Sequence, residues 1–411
     1  MEAPAERSTI PRLALVGVFG GLFCGYLGLT AAIPVLPGFV RESFGAGDLA
    51  VGLVVMATAL TALLVRPVSG HLADRYGHRL VMRAGALVIT VGGLLYFLPL
   101  DLNGLVAVRL LLGAGEASLF TAGAVWVVSL APHNRRGQLI GLYGISMWGG
   151  ISAGTFLGAA LLNLGYGAVW GFGVAAALAG LLLISSVPAP SGAGRPGEER
   201  QGEERQGEGP DGEGRRERRS WGSTLLPRPV LLPGLALALA AAGYAGLAAF
   251  VVLHLQARGV SSGVVVLSGF SAVYAGTRLF IGHLPDRLGP RRVAIWSGAG
   301  EAAGLLIIAL APNLPVAVLG SLIMGVGFSL LHPSLALMVM NRTDPSRQGA
   351  AIGAYTSFWD LGLAVWGPLA GAVATGFGYP AVFVVGAACA ATAVVVSLCV
   401  RRPDARPAVV S

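Results

Sequence analysis

The sequence predicts an all-α polytopic membrane protein with twelve transmembrane helices arranged as two six-helix pseudo-repeats. Three observations predict it. Of 411 residues, 55% are hydrophobic and only 12% charged, with a mean hydropathy of +0.73; soluble domains carry about 25% charged residues. Twelve stretches meet or approach the about 20 apolar residues needed to cross a hydrocarbon core of about 30 Å. And a charged decapeptide is written twice, GHLADRYGHR at 70–79 and GHLPDRLGPR at 282–291, 212 residues apart.

The first run, 13–39, exceeds the apolar core of a signal peptide (about 7–15 residues) and eleven similar runs follow, so a retained helix is expected. The second, 48–69, leads into the first decapeptide, with Arg66 four residues before Gly70. Runs 80–100, 104–131, 139–162 and 166–188 complete the first set; the fourth carries Arg109 and Glu116 and the fifth Trp148. The seventh run is 230–255. The eighth, 262–281, ends in the second decapeptide, with Arg278 placed as Arg66 is. Runs 293–312, 314–340, 350–375 and 379–400 follow, holding Glu301, His332 and Asp360 in the ninth, tenth and eleventh. All are too long and too evenly apolar for alternating barrel strands, which leaves helices.

Between the sets lies PAPSGAGRPGEERQGEERQGEGPDGEGRRERRSWGS at 188–223, Gly/Pro-rich and charged. It cannot bury enough apolar surface to fold, so a disordered linker is expected. The domain reading is an N-terminal tail 1–12, a six-helix bundle 13–188, a linker 189–229, a second bundle 230–400 and a tail 401–411. All 28 basic residues are arginines. With both termini cytoplasmic, the six outer loops hold only Arg41 and Arg258, and the positive-inside rule fixes that orientation in the cell membrane. The net charge of +8 then reflects topology and anionic lipid, so no nucleic-acid partner is expected. Cys24, Cys389 and Cys399 all lie in apolar runs and read as inert thiols; no cofactor and no metal are expected.

The 212-residue offset extends beyond the decapeptides. It carries Gly113 and Gly115 onto Gly325 and Gly327, and Arg135, Gly137, Gly141 and Tyr143 onto Arg347, Gly349, Gly353 and Tyr355. One residue more carries Gly154 and Gly158 onto Gly367 and Gly371. Duplicated parallel halves are a transporter design that places substrate between them near the bilayer midplane.

The first decapeptide resembles the signature loop between helices 2 and 3 of the major facilitator superfamily. It carries Gly70, Asp74, Arg75, Gly77 and Arg79, with a degenerate copy at Gly282, Asp286, Arg287, Gly289 and Arg291. RLLLGAGEA at 109–117 resembles the helix-4 motif of proton-coupled members. GGISAGTFLGA at 149–159 resembles the glycine-rich motif of the drug:proton antiporter branch, with Gly154-Thr155 where that motif has Gly-Pro. The resemblance implies the major facilitator fold, alternating access and a gating role for both loops, with Asp74 latched against the start of helix 11. The glycines Gly70 and Gly77 are expected to allow the tight turn.

Ionisable groups in mid-membrane each need a reason. Glu116 and Asp360 are the first proton-coupling candidates, because a low dielectric favours the protonated carboxyl that a proton carrier requires. Asp360 aligns with Trp148, so the second half has an acid that the first lacks. Arg109, about 10.5 Å along the helix from Glu116, and His332 are further candidates, each also readable as structural. The resemblance puts Glu301 outside the cavity, where a local ion pair is expected. Tyr26, Phe120, Trp148, Tyr274, Phe328, Tyr355 and Trp359 are cavity-lining candidates for a cationic or amphipathic ligand.

The chain lacks HExxH, GxSxG and P-loop motifs, so a transporter is expected in preference to an intramembrane enzyme. The first reading is proton-coupled export of a small organic molecule by a monomer in the lipid bilayer. Proton-coupled uptake of a sugar or organic acid is the second.

Overall fold

A computed structural model describes residues 12–130, 136–187, 228–260, 263–343 and 348–400. The expected tails and nearly all of the linker fall outside them. Among the described residues, regular structure is entirely helical: α1 (Arg12–Ala31), α2 (Leu36–Phe44), α3 (Asp48–Tyr76), α4 (His78–Leu95), α5 (Leu102–Leu130), α6 (Arg136–Leu161) and α7 (Tyr166–Ser186) form the first half. The second comprises α8 (Arg228–Gln256), α9 (Val264–Ile281), α10 (Leu284–Leu288), α11 (Pro290–Leu310), α12 (Leu314–Met340), α13 (Gln348–Phe377) and α14 (Tyr379–Cys399). Eleven spans among the described residues are long and apolar enough to cross a membrane. The twelfth, α13, is long enough, but Thr356, Ser357, Asp360 and its glycines dilute its hydropathy. Of these, Asp360, Gly367 and Gly371 meet the other half.

The duplicated glycines do the same work in both halves. A Cβ on Gly113 would strike the carbonyl of Thr58, and one on Gly325 would stand 3.0 Å from the carbonyl of Phe270, the position 212 residues on. Gly115 and Gly327 likewise sit 3.0 and 2.5 Å from the carbonyls of Gly85 and Ser297. Small residues at these points let helix backbones touch without lipid between them.

The one-residue slip has a structural meaning. Gly154 and Gly158 on α6 pack on Leu27 and Ala31 of α1, inside their own half. One residue turns a helix by about 100°, so Gly367 and Gly371 face the other half instead. A Cβ on Gly367 would lie 2.8 Å from the Gly52 carbonyl, and one on Gly371 2.6 Å from that of Asp48. Nearer the decapeptide side, a Cβ on Gly353 of α13 would meet nothing within 4 Å. The helices α3 and α13 therefore touch along the side away from the decapeptides and part towards them.

The decapeptides themselves differ. Gly77 and Gly289 adopt φ of 91° and 90° in the same turn, a conformation that favours glycine. Gly70, expected to share that role, instead lies inside α3, which runs unbroken to Tyr76. In the second copy Pro285 lacks the N–H that would continue the helix, and the chain breaks into α9 and α10.

Glu301 corrects an expectation. It is fully buried on α11, and neither carboxylate oxygen has a hydrogen-bond partner among the described residues, so there is no local ion pair. A buried polar group without a partner costs about 1–3 kcal/mol. Glu301→Leu is expected to raise stability by about that amount, read as a higher melting temperature in detergent; a lower one would show that the carboxyl is partnered.

Candidate functional site

The two halves are joined in mid-membrane by one guanidinium. Arg66 of α3 donates to Asp360 of α13 through both Nε and Nη2, the second bond being 3.0 Å. Both residues are buried, Asp360 with 2% exposure. A bidentate arginine–carboxylate pair is the strongest ion-pair geometry available. Arg66 Nη2 also stands 4.0 Å from Oε1 of Glu116 on α5. That same Oε1 accepts a hydrogen bond of 3.2 Å from the Tyr26 hydroxyl of α1. The Arg66 guanidinium lies 5.0 Å from the Phe120 ring centroid, within cation–π range. Glu116, Asp360, Tyr26 and Phe120 thus converge as one cluster, with Arg66 at its centre.

Arg66 escaped the sequence reading as a site residue. Its signal was nevertheless present: it is a charge inside an apolar run, which by the rule applied to Glu116 demands a partner. Arg109 makes no hydrogen bond or ion pair with the cluster among the described residues. Its Nε donates to the Val54 carbonyl at 3.3 Å, and its own carbonyl accepts from Thr58 at 3.1 Å, so it clamps α5 to α3.

The remaining aromatics form a second group around Trp148 of α6. Its ring lies 4.7 Å from Tyr274, 5.6 Å from Trp359, 6.3 Å from Phe328 and 6.0 Å from the His332 imidazole. All four partners belong to the other half, so Trp148 is the first half's insertion into the second. Tyr244 and Phe270, which the sequence reading passed over, complete the group through Phe328 at 5.7 and 6.0 Å.

A shared bond underlies both clusters. The Tyr143 hydroxyl donates to the Phe120 carbonyl at 2.7 Å, and Tyr355, its counterpart, donates to the His332 carbonyl at 2.9 Å. The corresponding ring separations are 5.4 and 5.3 Å. Phe120 and His332 are themselves 212 residues apart. The tyrosine hook is common to the halves, and the side chains that it presents differ.

On the side away from the decapeptides, Arg41 of α2 hydrogen-bonds both Asp48 at the start of α3 and Tyr379 of α14. Tyr379 also donates to Asp48 at 3.2 Å, which ties the halves together there. The Arg41 side chain is 36% exposed, so each such pair contributes only about 0.2–1 kcal/mol. Asp48→Asn should raise the labelling rate of a cysteine placed at Met56, which packs on Gly367, about 2–5-fold with a membrane-impermeant maleimide. An unchanged rate would deny this cluster a sealing role.

The loop residues divide by task. Arg79 donates to the Ser185 carbonyl at 2.8 Å at the end of α7, and Arg291 to the Leu398 carbonyl at the end of α14. These arginines satisfy helix C-terminal carbonyls within their own halves. Asp74, Arg75, Asp286 and Arg287 are exposed. Asp74 has no ion-pair or hydrogen-bond partner among the described residues, and the expected contact surface at 344–350 lies outside the described side chains.

Comparison with known proteins agrees with this architecture. The family model described as Major Facilitator Superfamily matches residues 18–271 and 259–411. An uncharacterized MFS-type transporter of Burkholderia mallei (strain SAVP1) is 33% identical over 417 residues, covering 98% of this chain and 96% of that protein. A second, from Pseudomonas aeruginosa (strain UCBPP-PA14), is 31% identical, with 98% of each covered. The crystal structure of the human organic anion transporter MFSD10 (TETRAN) superposes with a TM-score of 0.67 at 21% identity, covering 94% of this chain and 99% of that one.

Proposed function

Because this chain belongs to the major facilitator superfamily, and is therefore a multi-pass membrane transporter and not an enzyme, we propose that it exports a small organic molecule in exchange for protons by alternating access. The observation that carries the proposal is the buried cluster Tyr26–Glu116–Arg66–Asp360, which spans the junction between the halves. One guanidinium faces two carboxyls, one from its own half and one from the other. When Glu116 is protonated, Arg66 belongs to Asp360, and α3 is held to α13. When Glu116 gives up its proton, it competes for Arg66 at close range and weakens the link between halves. Proton occupancy of one carboxyl thereby sets the strength of the contact that must rearrange in each transport cycle.

In this reading the side sealed by Arg41, Asp48 and Tyr379 faces outwards, and the decapeptides and both termini face the cytoplasm. Export then loads substrate and releases the proton from the parted, decapeptide side. The glycine-rich segment at 149–159 supports the export direction, and the arginines concentrated in the loops of the decapeptide side support its placement at the cytoplasm. Asp74, unpaired here, latches against the start of α13 when that side closes. Asp74→Asn is expected to slow turnover about tenfold, the effect of about 1.4 kcal/mol, with membrane insertion unchanged; unaltered turnover would remove the latch.

Direction is read in intact cells. A strain lacking the gene should accumulate more of the substrate than its parent. If it accumulates less, the protein is an importer.

A further inference from the structure

The junction holds a second constellation that the carboxyl cluster leaves unused. Arg278 stands in the last turn of α9, at the position that the repeat pairs with Arg66. The position paired with Asp360 is Trp148, so the acid that neutralises Arg66 has no counterpart here. Arg278 Nη1 donates to the Ser329 carbonyl at 3.0 Å. Its Nη2 lies against α6 of the opposite half, 3.9 Å from where a Cβ on Gly144 would stand. Among the described residues it has no ion-pair partner, and the junction acids Glu116 and Asp360 are engaged by Arg66 and Tyr26.

Three further polar groups, on Trp148 and the two rings packed against it, lack partners among the described residues. Trp148 Nε1, the Tyr274 hydroxyl and His332 Nδ1 are each sealed from solvent and make no hydrogen bond among the described residues. Trp148 and Tyr274 are 4% and 1% exposed. Indole Nε1 is a donor only, and a tyrosine hydroxyl can donate. Unpaired buried donors are costly; Tyr274 stands one turn before Arg278 on α9, and Trp148, 4.7 Å from its ring, stands one turn after the Gly144 that the Arg278 guanidinium approaches. Flat apolar walls surround them: Phe328 and Tyr244 stack with planes 5° apart, and Trp359 lies 5.7 Å from Phe328.

We propose that this constellation is the substrate site and that its ligand is an organic anion, a carboxylate or similar oxo-anion carried on an aromatic or other flat apolar body. The anionic oxygens accept from Arg278, Trp148 Nε1 and the Tyr274 hydroxyl, and the body lies among Phe328, Trp359 and Tyr244. The aromatic lining alone would equally suit a cation; the unneutralised Arg278 repels one. The inference rests on the junction being the transport site, and it names the class of cargo.

The test uses the full-length protein in neutral detergent, titrated calorimetrically with three matched probes: 1-naphthoate, 1-naphthamide and 1-naphthylmethylammonium. The anion is expected to bind at least about tenfold more tightly than the amide, the cation most weakly. Arg278→Gln should weaken naphthoate about 10–100-fold and move the amide less than about threefold. Trp148→Phe, which keeps a ring and loses the donor, should weaken naphthoate about 3–10-fold. The anion-to-amide ratio within one variant separates lost recognition from lost folding, which would abolish both, and Trp148→Phe carries the test if Arg278→Gln does not fold. The proposal is overturned if the cation binds best, if no probe binds at millimolar concentration, or if the ratio is unchanged in both variants. It is also overturned if phosphatidylglycerol displaces naphthoate competitively, because the site would then hold a lipid headgroup. Binding in detergent is independent of proton flux. Naphthoate binding without proton-coupled transport would refute the coupling and keep the site; coupled flux without naphthoate recognition would do the reverse.

Discussion

Glu116→Gln is expected to reduce substrate accumulation driven by a pH gradient in inside-out vesicles at least tenfold, while energy-independent substrate exchange persists. Glutamine imitates the protonated carboxyl permanently, so Arg66 stays on Asp360 and the competition that links protons to closure disappears. The companion change acts differently. Asp360→Asn removes the bidentate partner of a buried guanidinium and leaves only Glu116 at 4.0 Å, a loss of about 3 kcal/mol in proteins whose whole stability is about 5–15 kcal/mol. Its yield and melting temperature should fall sharply. Removing both charges with Arg66→Leu and Asp360→Leu together should restore stability, since replacing a buried pair with apolar groups is often neutral or better. The double variant should remain inert in gradient-driven transport. If Glu116→Gln keeps full pH-driven flux, Glu116 is not the carrier; if the double variant transports normally, the pair is scaffold.

Gly52→Val is expected to arrest transport while leaving each half folded. A Cβ at Gly52 would strike the Gly367 carbonyl oxygen and stand 3.2 Å from Cα of Pro368. The obstacle is backbone, so no side-chain rotation relieves it. Overpacking of this kind costs about 1–3 kcal/mol, and all of it falls on the state in which α3 and α13 touch. A shift of about 10–100-fold in the population of that state follows. Labelling of a cysteine at Met56 should rise by a similar factor, well above the effect of Asp48→Asn. Unchanged labelling would mean that α3 and α13 do not separate during the cycle.

Much of this architecture was legible in the residues. Run lengths and the lack of alternation specified the helices, and the 212-residue offset specified the halves. Glu116 and Asp360 were legible as intramembrane acids because each is conspicuous against an apolar background. What the sequence hid was adjacency. Arg66 and Asp360 are 294 residues apart and meet because α13 packs along α3, with Gly367 and Gly371 against the backbone of Gly52 and Asp48. Arg109, nearer to Glu116 along the chain, turned instead to a carbonyl on α3. Glu301 was expected to be paired because the resemblance places it outside the cavity, and the described residues supply no partner. The aromatic candidates fell into two groups because Trp148 crosses the junction, a fact of packing that no spacing announces.

The hooks of Tyr143 and Tyr355 have a consequence for how such a protein diversifies. Each grips a main-chain oxygen, and a main-chain oxygen is the same whatever residue owns it. One duplicated slot could therefore come to display a phenyl ring in one half and an imidazole in the other without loosening the helix that carries it. Architecture and vocabulary are thus inherited separately. Lineages descended from such a duplication can rewrite the words spoken to cargo at positions 120 and 332 while the grammar of the fold stays untouched.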